Sequence, residues 1–361
     1  MKLWALLFFA LPVLGCTYVG WHVWRILPLT PLWKSLVITL MTTCFVLFIL
    51  NFFIGLDRMP LSVARVLYEV GNSSIFILLY LVILFLVLDM GRLLHVVPNH
   101  FLHNSMMGSL SILTIMVAVF VYGNLHYYNK VREEINLADH TVEGLHGKRI
   151  VLMSDLHLGY HNTRADLAKW IDLINAEQPD LVLIAGDIVD ISVHPLIEED
   201  MATEFRRLQA PIYACLGNHD YYAGEPKSEQ FYHDSGILLL RDTCVTLPDG
   251  LTIVGRDDRT NPQRKSVREI LGPTKHSFTI LLDHQPYHLE EAELAGIDFQ
   301  FSGHTHYGQV WPISWIEDVI YEDAFGPLQK GKTRYYVSSG IGIWGGKFRI
   351  GTRSEYVVLN L

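Results

Sequence analysis

Long apolar runs fill the first third of this chain and then stop. They cover about 3–24, 33–55, 74–95 and 109–128, each near the ~20 residues that cross a bilayer as helix. The last run carries no charge, and Asp89 lies close to the end of the third. Trp21, Trp24, Trp33, Tyr122, Tyr127 and Tyr128 gather near the ends of the runs, where amphipathic rings suit a membrane–water boundary. The pattern predicts four spanning helices within residues 1–128. Lys2 with Val13-Leu14-Gly15-Cys16 also approximates an export signal, but hydrophobicity continuing through Trp21 favours an uncleaved helix.

From residue 129 the texture changes to short apolar runs divided by polar, helix-patterned segments. Buried strands are predicted at 149–153, 181–185 and 212–216, with helices at 165–176 and 199–209 between them. Further strands are predicted at 237–240, 251–254, 278–282, 299–302, 335–338 and 356–359. Strand–helix–strand alternation at this pitch is the mark of an α/β domain with parallel pairing. The chain therefore reads as two units, a helical membrane region and an α/β domain over 129–361.

Charge separates the same two units. Up to Tyr127 there are six basic and three acidic residues, and beyond it 22 basic and 34 acidic. An acidic second unit excludes a nucleic-acid partner held through its phosphates. The four cysteines show no zinc or disulfide spacing and read as packing residues.

Candidate chemistry falls just beyond the predicted strands. Asp155 and His157 follow the first, Asp187 the second, and Asn218, His219 and Asp220 the third. His284 closes the run at 278–282, and His304 and His306 follow the one at 299–302. Ligands of open α/β sheets bind beyond the carboxyl ends of the strands, so five such ends would converge on one spot. Carboxylates and neutral imidazoles without thiolates suit Mn²⁺, Fe²⁺ or Zn²⁺, and seven donors fit two ions sharing a bridge. Taken singly, Asp155 or Asp187 is as readily a helix N-cap, Asn218 a turn residue and His284 a hydrogen-bonded core histidine. His161, His194, His233, His276 and His288 fit none of these positions and read as surface or structural.

Asp155-Leu156-His157, Gly186-Asp187, Gly217-Asn218-His219-Asp220, His284 and Gly303-His304-Thr305-His306 resemble the five ordered blocks of calcineurin-like metallophosphoesterases. The resemblance covers about 145–361 and implies a sandwich of two mixed β-sheets flanked by helices. It further implies that Asp155, His157 and His306 hold one metal, that Asn218, His284 and His304 hold another, and that Asp187 bridges them. In the same scheme His219 touches the phosphate and protonates the leaving oxygen, oriented by Asp220. Tyr221-Tyr222, Gly308-Gln309 and 338–342 are similar to a membrane-associated bacterial branch, some members of which cleave the pyrophosphate of UDP-2,3-diacylglucosamine in lipid A synthesis. Tyr307 departs from that branch, which has glycine there. Arg349 is read as a surface residue or a phosphate contact. The stretch 311–316 is read either as an apolar lip meeting the bilayer or an acyl chain, or as a buried strand and loop.

The leading expectation is thus a bacterial inner-membrane hydrolase of a lipid-linked phosphoester or pyrophosphate. With the N-terminus inside, Lys2, Arg58, Arg65, Lys130 and Arg132 face Arg25, Lys34 and Arg92 outside, a bias toward a cytoplasmic catalytic half. The competing class is a membrane sensor or transporter regulated by the second unit. It would be marked by polar residues within the spans, for which Asp89 and Asn51 are the candidates.

Overall fold

The computed structural model describes residues 3–51, 53, 55–137, 143–273 and 276–361, with the side chains of 3–9 and 143 excepted. It divides into a helical unit, residues up to Leu125 together with Gly345–Phe348, and a second unit made of the rest.

The helical unit contains α1 (Leu3–Ile26), α2 (Pro31–Leu50), α3 (Leu61–Leu93) and α4 (Met106–Tyr128, whose last turn passes into the second unit). Among the described residues α2, α3 and α4 are long and apolar enough to cross a membrane. The expected span at 3–24 forms helix, but part of it lies outside the described side chains. The span expected at 74–95 belongs to a 33-residue helix, longer than the ~20 residues a bilayer requires. Its added N-terminal turns pass close to α2 at Gly71, where a Cβ would come within 2.9 Å of the Leu47 and Phe48 backbone. Asp89 accepts a hydrogen bond from Tyr18 Oη (2.7 Å), lies 3.0 Å from His22 Nε2 and pairs with Arg92. Asn51 donates to the Leu67 carbonyl. Both polar candidates thus tie helix to helix.

Among the described residues the second unit contains twelve strands. They are β1 (Lys130–Asn136), β2 (Arg149–Met153), β3 (Leu181–Ala185), β4 (Ile212–Cys215), β5 (Ile237–Leu239), β6 (Thr243–Thr246), β7 (Leu251–Gly255), β8 (Phe278–Leu282), β9 (Phe299–Ser302), β10 (Gly326–Lys330), β11 (Thr333–Val337) and β12 (Ser354–Asn360). They form two six-stranded mixed sheets, ordered β1-β12-β2-β3-β4-β5 and β10-β11-β9-β8-β7-β6. Strands β2 to β5 run parallel, as do β7, β8, β9 and β11.

Alternation along each strand builds the layers. Ile150 and Leu152 of β2 join Leu183, Ile253, Ile280, Phe301 and Leu359 in a core between the sheets. Val151 and Met153, one residue out of phase, meet Leu167, Trp170 and Ile174 of the helix Arg164–Ala176 on the outer face. Val254 and Leu281 pack outward against the helices Val267–Leu271 and Glu290–Ala295. Helices therefore cover both outer faces, and the carboxyl ends of β2, β3, β4, β8 and β9 remain for the site. The helix expected at 199–209 is instead two short ones, His194–Glu198 and Met201–Phe205, broken by Asp200 in the left-handed region (φ 52°).

Candidate metal centre

Strands β2, β3, β4, β8 and β9 each end in a turn that places a ligand candidate just past the sheet. Asp155, His157, Asp187, His304 and His306 all have φ between 45° and 74°. This left-handed conformation costs a non-glycine residue ~1–2 kcal/mol, and such residues concentrate at functional sites. The neighbouring glycines are required by close approach: a Cβ on Gly217 would overlap Asp187 Oδ1, and one on Gly303 would overlap Asp155 Oδ2.

The result is three overlapping donor groups. Asp155, His157 and His306 form one; Asp187, His284 and His304 form another; His157, Asp187 and His219 link them. His157 Nε2 lies 3.0 Å from His306 Nε2, while Asp155 Oδ1 is 3.4 Å from the latter. Asp187 Oδ2 stands between the groups, 3.6 Å from His157 Nε2 and 3.1 Å from His284 Nε2. Its other oxygen accepts the His219 amide at 2.8 Å, which fixes the carboxylate plane. The buried Asn218 Oδ1 has no hydrogen-bond partner, and the buried His284 Nε2 has the Asp187 carboxylate beside it, so both atoms are open to a cation. Oxygen and imidazole donors arranged as two groups about one shared carboxylate fit divalent ions of intermediate hardness.

The electrostatics point the same way. Burial holds the His304 imidazole down to about 4, and His306 well below its usual range, so both are neutral as a ligand must be. Burial also opposes charge on His157 and His284, but carboxylates outweigh it. Asp155 and Asp190 push His157 up to about 10, and Asp187 raises His284. Burial would lift Asp155 and Asp187, yet the imidazoles of His306 and His284 hold them below the usual carboxylate range. Two protons on imidazole therefore balance carboxylates where cations would sit, and metal binding would release them.

Asp190 is the residue that motif reading missed. It is fully buried, and its Oδ1 lies 3.1 Å from both His157 Nδ1 and His219 Nδ1. The sequence carries a signal for it, a third acidic residue three positions beyond Asp187 in the same turn. Asp220 does not orient His219. It accepts the amides of Asp187, Val189 and Gly217 and the Tyr232 hydroxyl, and so ties the turns after β3 and β4 together. Geometry explains the difference: Asp220 sits in a short helix, Asn218–Tyr222, and serves as its N3 capping residue.

Arg349 is neither exposed nor free for phosphate. It is fully buried, and its guanidinium donates to the carbonyls of His306 (2.7 Å), Gly342 (3.1 Å) and Ser339 and to Ser354 Oγ. It anchors the loop that carries His306. His161 is also buried and structural, with Nε2 at the Ile343 carbonyl. Tyr307 turns to stack on Phe325 at 4.9 Å, with its hydroxyl 3.3 Å from Asp318.

Two aromatic flanks border the cluster. Tyr222, largely exposed, lies 5.2 Å from the His219 ring. Tyr321 lies 6.2 Å from the His304 ring and meets Tyr287 at a tilt, 4.7 Å between centroids; the exposed Arg259 guanidinium sits 3.9 Å over the Tyr287 ring.

The calcineurin-like phosphoesterase family pattern matches residues 148–308. An uncharacterized metallophosphoesterase of Campylobacter jejuni is 33% identical over 222 residues, 59% of this chain and 59% of that protein. A transmembrane protein with metallophosphoesterase domain from Danio rerio is 30% identical over 261 residues, 68% of this chain and 60% of that one. An uncharacterized metallophosphoesterase of Aquifex aeolicus is 30% identical over 226 residues, 59% of this chain and 84% of its own length. The chain thus spans about three-fifths of the first two relatives.

Proposed function

Because the chain belongs to the calcineurin-like phosphoesterase family, we propose that it is a membrane-held, metal-dependent hydrolase of phosphoester or phosphoanhydride bonds. The observation that carries this reading is the Asp187 carboxylate, set between two donor groups, with His284 Nε2 beside it and the buried Asn218 Oδ1 unpartnered. Asp155, His157 and His306 would hold one divalent ion, Asn218, His284 and His304 a second, and Asp187 both. Such a pair supplies Lewis acidity, acidifying the attacking water and neutralising charge on the phosphoryl oxygens. The protein's own part is positional. His219, held through Nδ1 by Asp190, keeps Nε2 for the substrate and gives its proton to the departing oxygen. Asp190 stabilises the charged imidazole before that transfer.

For the substrate we infer a phosphate carried by a lipid, since an enzyme held at a bilayer meets such molecules without their leaving it. UDP-2,3-diacylglucosamine and simple phospholipid diesters are both members of that class. The excess of Lys and Arg on one set of connections supports a cytoplasmic catalytic unit in a bacterial inner membrane.

The test is hydrolysis of a chromogenic phosphodiester by metal-stripped full-length protein, with Mn²⁺, Zn²⁺ or Mg²⁺ restored separately, beside Asp187→Asn. Metal should restore turnover in the parent and not in the variant. Turnover indifferent to metal, or intact in the variant, overturns the reading.

A further inference from the structure

The helix Ile313–Ile320 begins seven residues after the last ligand candidate, His306. Trp315, Ile316, Val319 and Ile320 are 61%, 57%, 86% and 53% exposed. Positions i, i+1, i+4 and i+5 share one helical face. Behind that face Ser314 is buried and Glu317 half-buried. Trp311 extends the patch, its ring edge-on to Trp315 at 5.3 Å. The segment is not the buried strand and loop of one reading but a short amphipathic helix whose apolar side faces outward.

We propose that this helix lies in the headgroup region of the bilayer, with Trp315, Ile316, Val319 and Ile320 among the acyl chains, and that it brings lipid-borne phosphates to the metal centre. Scattered surface apolar residues need no explanation, but four contiguous ones on one short helix mark a contact. Two facts about the chain select a bilayer as the occupant. Strand β1 starts at Lys130, directly after α4 ends at Tyr128, so the unit bearing this helix is tethered to a membrane-length segment by a single residue. The chain also returns to the helical unit at Gly345–Phe348, and Ile350, two residues later, accepts the Trp311 amide at 2.7 Å. The composition agrees: Trp315 in the helix and Trp311 just before it carry indoles, whose amphipathic rings favour the interface. The helix's only charges, Glu317 and Asp318, predict insertion that does not depend on anionic lipid. A mechanical link to the site exists as well, because Tyr307, beside His306, reaches Asp318 on the helix.

The insertion stands by itself; its consequence for substrate rests on the phosphoesterase reading, and the experiment separates the two. Full-length Val319→Cys protein carrying a nitroxide is reconstituted in phosphatidylcholine vesicles, and collision with oxygen and with a water-soluble nickel chelate is measured. The unsubstituted chain, labelled in parallel, supplies the background from its four cysteines. Insertion predicts an oxygen collision rate several-fold above that of the nickel chelate. A label open to nickel, or shielded from both reagents by a protein partner or second copy, overturns the proposal. An Ile320→Asp variant then tests the consequence. It should lose most of its hydrolysis of vesicle-borne phospholipid while keeping that of the soluble diester. Equal loss on both overturns the link to substrate, and an inserted label on a protein inactive toward every ester would leave the insertion standing and remove the phosphoesterase reading alone.

Discussion

Replacing Asp190 and Asp220 separately tests which carboxylate serves the chemistry and which the fold. In Asp190→Asn the side chain keeps its shape and loses its charge. Two contacts change, those to His157 Nδ1 and His219 Nδ1, each at 3.1 Å. A hydrogen bond to a charged group is worth about 1.5–3 kcal/mol and a neutral one about 0.5–1.5, so each contact loses roughly 1–1.5 kcal/mol. The combined loss of about 2–3 kcal/mol corresponds to a fall of roughly 30- to 150-fold in kcat/KM. Folding should survive, because burial of the carboxylate is itself unfavourable and the amide is not. In Asp220→Asn the loss moves to the fold. The carboxylate accepts three amides and the Tyr232 hydroxyl, and an Asn must turn its NH₂ toward at least one of those donors. Each buried donor left unpaired costs about 1–3 kcal/mol, so melting should drop by several degrees or more. The assays are steady-state hydrolysis of a chromogenic diester at saturating metal and thermal melting of the same preparations. An Asp190→Asn enzyme with parental kcat/KM would refute the positioning role, and an unshifted melt in Asp220→Asn would refute the structural one.

Three more outcomes follow from contacts outside the ligand set. Arg349→Ala leaves the His306, Ser339 and Gly342 carbonyls without their donor, so it should weaken metal retention, read by dialysis and metal analysis, and lower melting together. Arg259→Ala removes a cation stacked on Tyr287 beside the His304 flank; it should raise KM several-fold for substrates with a second phosphate and leave a simple diester unchanged, which steady-state kinetics would report. Glu317 is pushed up to about 7 by burial, with Asp318 adding to it. A raised carboxyl favours its protonated form when folded, so this stability is present at low pH and fades as pH rises from about 4.5 to 7. Discounted for solvent exposure the change is about 1–2 kcal/mol, and Glu317→Gln should flatten the pH dependence of melting across that window.

What was legible in the sequence was whatever is buried on both sides. Strands β2, β3, β7 and β8 are walled by a second sheet and by helices, so they appear as mainly apolar runs. Strand β1, Lys-Val-Arg-Glu-Glu-Ile-Asn, lies at a sheet edge with alternate residues in solvent, and its charges hid it. Strand β10, Gly-Pro-Leu-Gln-Lys, is an edge of the other sheet, and its glycine, proline and polar residues leave no apolar run to read. The ligand candidates were legible because each follows a strand, and Asp187, Asn218 and His304 also stand beside a glycine. Their supports were not. Asp190 reaches His219 across 29 positions, Asp220 the Val189 and Asp187 amides across 31 and 33, and Arg349 the His306 carbonyl across 43, and no local pattern encodes those partners. The helix Ile313–Ile320 was visible as an apolar segment, but whether that segment faced a core or the outside depends on what packs over it.

The same supports explain why the site and the fold should not be separable in this protein. Five ligand candidates sit in left-handed backbone, at ~1–2 kcal/mol each, and two buried carboxylates face one another's imidazoles at the ends of both sheets. Asp220, Arg349 and the close glycine contacts oppose that strain from within the chain. Without metal, His157 and His284 carry protons that balance Asp155 and Asp187, and this balance fails as those protons leave. A divalent pair binding only the folded arrangement would replace the protons and stabilise the strained turns by mass action. Metal removal should therefore lower melting most at alkaline pH, where the imidazoles can no longer stand in for cations. A metal-free protein whose melting is insensitive to pH between neutrality and 10 would show that the turns are held by packing alone.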